Sequence, residues 1–204
     1  NFPSSSTVNI ACYNSTIGDA IAFKSVPAVV KSVGTGNWNA SGTWEDGNIP
    51  WPEQGVQIQS GHTVTFNRND TAVTCSTLTI SGTLQFDGAI ANRSMIVAGD
   101  VNLQNGGQFL MPPNTGYIST LKIKCDTEGQ YGIIVNNGGK FDVQGTTTTT
   151  PSTRNCLIAS EIPTAKTYIR NLSQTEANFN MYYVQVSSMG MNATGKFGIA
   201  FDGA

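Results

Sequence analysis

Apolar and polar residues alternate with a period of two along most of the chain. The alternation is clearest at 56–66, 78–86, 101–109 and 134–143, where each run turns at a glycine and then alternates again. A half-buried β-strand requires this period, and glycine adopts the positive φ of a tight corner without steric cost. The pattern therefore predicts an all-β chain of short strands.

The same alternation predicts which side chains face the interior of the protein. The residues expected to point inward are Ile58, Val64, Leu78, Ile80, Leu84, Phe86, Leu103, Phe109, Ile134, Phe141 and Val143. A helical pattern occurs only at about residues 18–33, and there Pro27 interrupts a short candidate helix.

Short sequence units recur along the chain. Asn-Gly-Gly-Gln-Phe at 105–109 returns as Asn-Gly-Gly-Lys-Phe at 137–141, and Phe-Asp occurs at 86–87, 141–142 and 201–202. Repeated strand–glycine–strand units are typical of a solenoid, in which each coil buries its inward residues against its neighbours. A β-sandwich also contains many short strands separated by turns, so it is the alternative fold.

Composition divides the chain into three parts. Residues 1–35 form an N-terminal strand or cap segment, with one strand-like stretch at 7–13. Residues 36–145 carry the repeats. Residues 146–204 begin with a threonine-rich loop that reaches Pro151 and then resume strand-like sequence.

Tryptophan and glycine motifs follow one another in a fixed order through the repeats. They are Trp38-Asn-Ala-Ser-Gly-Thr-Trp44, Ile49-Pro-Trp51, Gly55-Val-Gln-Ile58, Gly61-His-Thr-Val64, Leu78-Thr-Ile-Ser-Gly82-Thr-Leu84-Gln-Phe86 and Gly138-Gly-Lys-Phe141-Asp-Val-Gln-Gly145. In order and spacing, residues 36–145 resemble the eight-glycine domain, an extracellular β-helix module of fibrocystin and of cell-surface proteins that bind or degrade hyaluronan. The resemblance implies a right-handed parallel β-helix, an extracellular location and contact with glycans, and no catalytic residue carries over from the family.

The balance of charge narrows the range of partners. Only 12% of the 204 residues are charged, and the net charge is −2. Such a chain lacks the electrostatic attraction that binds nucleic acid or an anionic membrane. No apolar run is long enough to span a bilayer. We therefore expect no nucleic-acid partner and no membrane insertion.

Cysteines and glycosylation sequons both favour an extracellular or cell-surface location. An even number of widely spaced cysteines without a C-x-x-C pair favours two disulfides, with three possible connectivities, and four buried thiols are the alternative. These cysteines are Cys12, Cys75, Cys125 and Cys156. Sequons for N-glycosylation, in mild excess over chance, occur at Asn14, Asn39, Asn69, Asn92, Asn171 and Asn192.

Residues that could carry catalysis are few. His62 is the only histidine, which excludes a multi-histidine metal site, and no G-x-S-x-G elbow accompanies it. A polysaccharide-active enzyme needs paired carboxylates, and the candidates are Asp87 with Asp142 and Glu45 with Asp46. Aspartates beside glycines more often stabilise turns. We therefore expect no enzymatic activity.

Two binding hypotheses remain. Oxygen atoms of Asn67, Asn69 and Asp70 could hold calcium, but the ligand-spacing motif of a calcium loop is missing, so we expect no metal and no cofactor. Trp38, Trp44 and Trp51 could form an aromatic platform for sugar rings, or they could cap the first coil, which is the favoured interpretation.

The two ends of the chain suggest how copies join. The C-terminal stretch 196–204 is an apolar strand, and residues 7–13 form an alternating strand near the N-terminus. Pairing of one copy's N-terminal strand with its neighbour's last strand is head-to-tail strand addition, which produces a filament. The alternative is a piece of a longer ectodomain.

Taken together, the sequence predicts a non-enzymatic, extracellular structural or adhesive protein that self-associates through strand edges. A glycan-binding module of the hyaluronan type and a fragment of a polysaccharide-degrading β-helix protein are the alternatives.

Overall fold

The computed structural model describes residues 28–88, 91–114, 116–146, 154–173 and 175–202. Within these ranges the chain forms β-strands and short 3-10 helices, the latter at Ser41–Thr43, Glu45–Gly47 and Glu176–Asn178. The strand expected at 7–13 and most of the candidate helix at 18–33 lie outside the described residues. The part of the candidate helix that is described contains a β-strand, Val29–Lys31, so the helical prediction is wrong there.

The strands belong to three sheets. The seven-stranded sheet contains β1 (Val29–Lys31), β3 (Gly55–Ile58), β5 (Leu78–Ile80), β8 (Val101–Leu103), β11 (Ile133–Val135), β14 (Ile169–Asn171) and β17 (Ile199–Phe201). The six-stranded sheet contains β2 (Gly36–Asn37), β4 (Thr63–Phe66), β6 (Thr83–Phe86), β9 (Gln108–Met111), β12 (Lys140–Gln144) and β15 (Phe179–Tyr182). The four-stranded sheet contains β7 (Arg93–Val97), β10 (Ser119–Ile123), β13 (Cys156–Ser160) and β16 (Val184–Ser187).

The chain visits the three sheets in turn, and each strand pairs in parallel with the strand one pass earlier. From β5 onward every pass, here called a circuit, enters the seven-stranded, the six-stranded and then the four-stranded sheet. Parallel neighbouring strands need a long connection. Here the chain makes that connection by passing through the other two sheets. The expected all-β class is confirmed, with three parallel sheets.

The repeated Asn-Gly-Gly units stack on one another in successive circuits. The backbone N–H of Gly106 donates a hydrogen bond to the carbonyl of Gly138 at 2.9 Å. Both glycines have a positive φ, 79° and 78°, which a residue with a Cβ adopts only at a cost. The sequence repeat therefore marks equivalent turns.

Aromatic side chains form a continuous column through the interior, one ring from each of six circuits. Neighbouring ring centroids are 5.1–5.6 Å apart along Trp38, Phe66, Phe86, Phe109, Phe141 and Phe179. Such aromatic pairs stabilise the fold by more than the burial of their surface area alone. The column joins the circuits into one hydrophobic core.

The predicted inward residues are buried, with one exception. Ile134 is half-buried, whereas its neighbours Ile133 and Val135 are fully buried. The register explains the difference, because Ile133 pairs with Val101 and Val135 pairs with Leu103, and both partners face the core. A shift of one residue moves a side chain to the other face, so the prediction for Ile134 is wrong.

None of the helices in the described ranges is both long and apolar enough to cross a bilayer.

Candidate functional site

Two of the three tryptophans belong to the core of the first circuit. Trp38 and Trp44 are 0% and 1% exposed, and their rings meet edge to face at 5.0 Å. The indole N–H of Trp44 donates a hydrogen bond to the carbonyl of Trp38 at 2.7 Å. The proposed sugar platform is therefore wrong for these two residues, which instead close the first-circuit end of the aromatic column.

Trp51 differs from the other two because 59% of it is exposed. Its backbone N–H is fixed by a 2.9 Å hydrogen bond to the side-chain amide oxygen of Gln54. Trp51 also lies between Pro50 and Pro52, which restrict the backbone on either side. Trp51 is thus the one tryptophan of the chain that can stack on a ligand.

The opposite end of the three sheets exposes aromatic and aliphatic side chains. We call this surface the open end and define it by the terminal strands β15, β16 and β17. Its most exposed apolar residues are Phe201 at 67%, Phe197 at 63%, Tyr182 at 56%, Tyr183 at 46% and Val186 at 41%. Single exposed apolar residues are common, whereas grouped ones are typical of surfaces that contact another molecule.

The backbone of the open end adds a second feature. Among the described residues, β15, β16 and β17 each pair on one side only. An unpaired strand edge presents a row of N–H and C=O groups that another strand can complete. Three parallel edges beside exposed aromatic rings form a template for adding a further circuit.

The two disulfides expected from the sequence are not present among the described residues. Cys75, Cys125 and Cys156 are free thiols, each buried, and Cys12 lies outside the described ranges. The three side chains occupy separate positions in the core, where cysteine behaves as a small hydrophobic residue. For these three residues the expected disulfides are wrong, and the structure shows the alternative, which is buried thiols.

Burial also controls the chemistry of these thiols. Desolvation raises the pKa of the Cys156 thiol to about 11, and it raises the pKa of the Cys75 thiol further. The pKa of the Cys125 thiol is also raised, chiefly by burial, and its Sγ donates a hydrogen bond to the Tyr131 carbonyl. Because the thiolate is the reactive form, these cysteines are protected from thiol reagents in the folded chain.

We therefore expect a thiol reagent to label none of Cys75, Cys125 and Cys156 in the folded protein. All three should react once the protein is unfolded without a reductant, as counted by mass spectrometry of the labelled peptides. A reduced and unfolded sample gives the count for complete labelling. Absence of label at any of the three in the non-reduced, unfolded sample would show a disulfide and contradict the structure.

The structure separates the sequons by exposure. Asn39, Asn69, Asn92 and Asn192 are exposed, whereas Asn14 lies outside the described residues. Asn171 is only 4% exposed because it lies in β14, and its side-chain Oδ1 accepts a hydrogen bond from the Ser173 N–H at 3.0 Å. A glycan does not fit at this position in the folded chain, so Asn171 is corrected to a structural residue.

The carboxylates that could have formed a catalytic pair lie apart. Asp87 is held by Arg93 at 2.8 Å and Asp142 by Lys140 at 3.2 Å. Asp87 follows β6 and Asp142 lies in β12, and β9 separates these strands. The two residues therefore do not face each other on adjacent circuits. In the other candidate pair, Glu45 is half-buried and Asp46 is exposed within a short 3-10 helix.

The remaining polar candidates have local partners. Asp70, a calcium candidate, accepts hydrogen bonds from Arg68 at 2.9 Å and from the Thr74 hydroxyl at 2.7 Å. Across the described ranges no group of three His, Cys, Asp or Glu side chains is placed to hold a metal ion.

His62 connects the first two circuits. Its Nδ1 lies 2.9 Å from the Ser32 hydroxyl, which also accepts a hydrogen bond from the Gln59 N–H at 2.9 Å. Nothing in the sequence pointed to Ser32, because the pair is separated by 30 positions and only the stacking of circuits brings it together.

The parallel sheets and the tryptophan-sealed first circuit define a β-rich repeat module. The family model of the G8 domain matches residues 43–155, more than half of the chain, so the chain belongs to the G8 domain family. This confirms the resemblance found in the sequence, and membership indicates an extracellular β-rich module. Neither the curated proteins nor the solved structures that were compared with the chain give a significant match.

Proposed function

We propose that the chain is a non-enzymatic, extracellular structural or adhesive module whose copies join head to tail. In this proposal the three sheets form a right-handed parallel β-helix. Two observations support it: the chain visits the sheets in a constant order, and all three sheets contribute to one core. Crossovers between parallel strands are right-handed in nearly all proteins, which favours this hand.

The observation that carries the assembly proposal is the open end. It combines three strand edges that no other described strand covers with exposed Phe197, Phe201 and Tyr182. The first-circuit end differs, because Trp38 and Trp44 are already buried there. Two unlike ends make a head-to-tail contact, and such a contact repeats into a filament unless its rotation closes a ring.

The segment proposed to fill the open end is the alternating stretch at 7–13. Its Val8, Ile10 and Cys12 are apolar at every second position, as a strand needs if one face is to cover apolar side chains. Main-chain hydrogen bonds to a terminal strand would supply affinity, and the alternate side chains would supply specificity.

The absence of enzymatic activity is part of the proposal. Its support is that Asp87 and Asp142 are each engaged by a cation and that His62 is paired with Ser32. In this arrangement the two carboxylates are bound within their own circuits, and the contact between His62 and Ser32 joins two circuits.

Two complementary variants test the assembly. We expect deletion of residues 1–13 to remove the donated strand, and Phe201→Asp to place a charge on the open end. Each variant alone should be monomeric by multi-angle light scattering, whereas a mixture of the two should give a dimer, because one retains the open end and the other retains the strand. Ile118→Asp, at a residue 47% exposed between β9 and β10, is the control and should assemble as the unchanged chain does. Undiminished assembly after the deletion, or no dimer in the mixture, would contradict the proposal.

A glycan-binding module is the second candidate, and exposed Trp51 is the observation that favours it. Pull-down with hyaluronan and a glycan array, each with the unchanged chain and with Trp51→Ala, separate the two candidates. Binding that is lost in the variant would support the second candidate.

A further inference from the structure

Three exposed sequons lie along one corner of the molecule. The corner is where the chain leaves the six-stranded sheet, and from the third circuit onward it leads into the four-stranded sheet. Asn39 follows β2, Asn69 follows β4 and Asn92 precedes β7, so the three belong to successive circuits. Asn192 lies elsewhere, between β16 and β17.

Hydrogen bonds confirm that these segments are neighbours. The side-chain amide of Asn67 donates to Oδ1 of Asn39 at 2.8 Å, which joins the first and second circuits. Asn69 pairs with Ser94, two positions beyond Asn92, which joins the second and third circuits. The backbone N–H of Ile118 then donates to Oδ1 of Asn92 at 2.8 Å, which reaches the fourth circuit.

These hydrogen bonds still allow N-glycosylation. In Asn39 and Asn92 the hydrogen bond uses Oδ1, whereas the sugar attaches at Nδ2. A glycosylated asparagine keeps its Oδ1 acceptor, so both bonds survive the modification. At buried Asn171, by contrast, the surrounding core leaves no room for a sugar.

We infer that Asn39, Asn69 and Asn92 carry N-linked glycans that form one ridge along this corner. The co-reactant is a lipid diphosphate-linked oligosaccharide. Asparagine Nδ2 forms a C–N bond to the anomeric carbon, the bond from that carbon to the phosphate oxygen breaks, and the proton lost from Nδ2 ends on the departing lipid diphosphate. The inference rests on the extracellular placement in the proposed function.

The ridge restricts how copies can meet. Adjacent parallel strands are only about 4.8 Å apart, and a glycan is far bulkier than that spacing. Glycans on successive circuits must therefore project outward from the corner. They would block side-by-side contact along it and leave the open end accessible.

Site occupancy tests the ridge directly. The full chain is secreted from a eukaryotic host, and the folded fraction is treated with a peptide N-glycosidase in heavy-oxygen water, which converts each occupied asparagine to a labelled aspartate. We expect the label at Asn39, Asn69 and Asn92 and none at Asn171. An unmodified Asn39, Asn69 or Asn92, or a labelled Asn171, would overturn the inference.

A second measurement tests what the ridge does. The variant Asn39→Gln/Asn69→Gln/Asn92→Gln should associate side by side, with higher light scattering than Asn192→Gln, the control for loss of a sequon elsewhere. Equal scattering would contradict the shielding role. Occupancy does not depend on assembly, so a glycosylated but monomeric chain contradicts the filament alone, and a filament without these glycans contradicts the ridge alone.

Discussion

Replacing Phe86 with alanine is expected to lower the free energy of unfolding by about 3–5 kcal/mol. Phe86 is 1% exposed and lies in the middle of the aromatic column, with ring centroids 5.1 Å from Phe66 and 5.6 Å from Phe109. Alanine would leave a cavity there, because the circuits on either side are fixed by their strand ladders. Urea unfolding followed by circular dichroism measures the change.

The matched control for this prediction is Trp51→Ala. Trp51 is also aromatic, but it is 59% exposed. Its loss should change the free energy of unfolding by no more than about 0.5 kcal/mol, as is usual at the surface. A cost below about 1 kcal/mol for Phe86→Ala, against the 3–5 expected for a buried ring, would show that the column is not the core.

Gly82→Ala is expected to lower the free energy of unfolding by about 3 kcal/mol. A Cβ at Gly82 would collide with the backbone carbonyl oxygens of Gln59 and His62, which belong to the turn of the preceding circuit. Backbone atoms cannot move aside as a flexible side chain can. The circuits would have to separate at this turn, and the hydrogen bond from the Thr83 N–H to the His62 carbonyl would be strained.

Gly42→Ala provides the comparison, since nothing lies within 4 Å of a Cβ at that position. There alanine should be neutral or slightly stabilising, by up to about 1 kcal/mol, because it restricts the unfolded chain. Thermal unfolding of both variants measures the difference. Equal stabilities would show that the circuits do not approach each other as closely as the structure has them.

The sequence predicted those features that depend on local pattern. Alternation and glycine turns were sufficient to predict strands such as Leu78–Ile80 and Thr83–Phe86 and the burial of their apolar side chains. The repeated Asn-Gly-Gly units likewise predicted stacked turns. Alternation failed at Ile133–Val135, where three apolar residues follow one another and only the pairing with β8 decides which ones face inward.

Features that depend on neighbouring circuits could not be predicted in this way. The three tryptophans occur within 14 residues of one another, yet only Trp51 is exposed, because the second circuit covers Trp38 through Phe66. A sequon is also a local pattern, so it could not reveal that Asn171 is buried in a strand with neighbours on both sides. Cysteine spacing gave no information on whether the thiols meet across the core.

The open end could be predicted from the sequence only in part. The apolar character of Phe197, Ile199 and Phe201 is visible in the sequence, but their exposure together with the edges of three sheets is a property of the fold. The head-to-tail contact that we propose between copies therefore depends on this surface.

Negative-stain microscopy of the purified chain is the sharpest test of this head-to-tail contact. We expect unbranched filaments one molecule wide, with the strands of each sheet stacked along the filament axis. Dispersed single particles at the same protein concentration, or closed dimers, would contradict it.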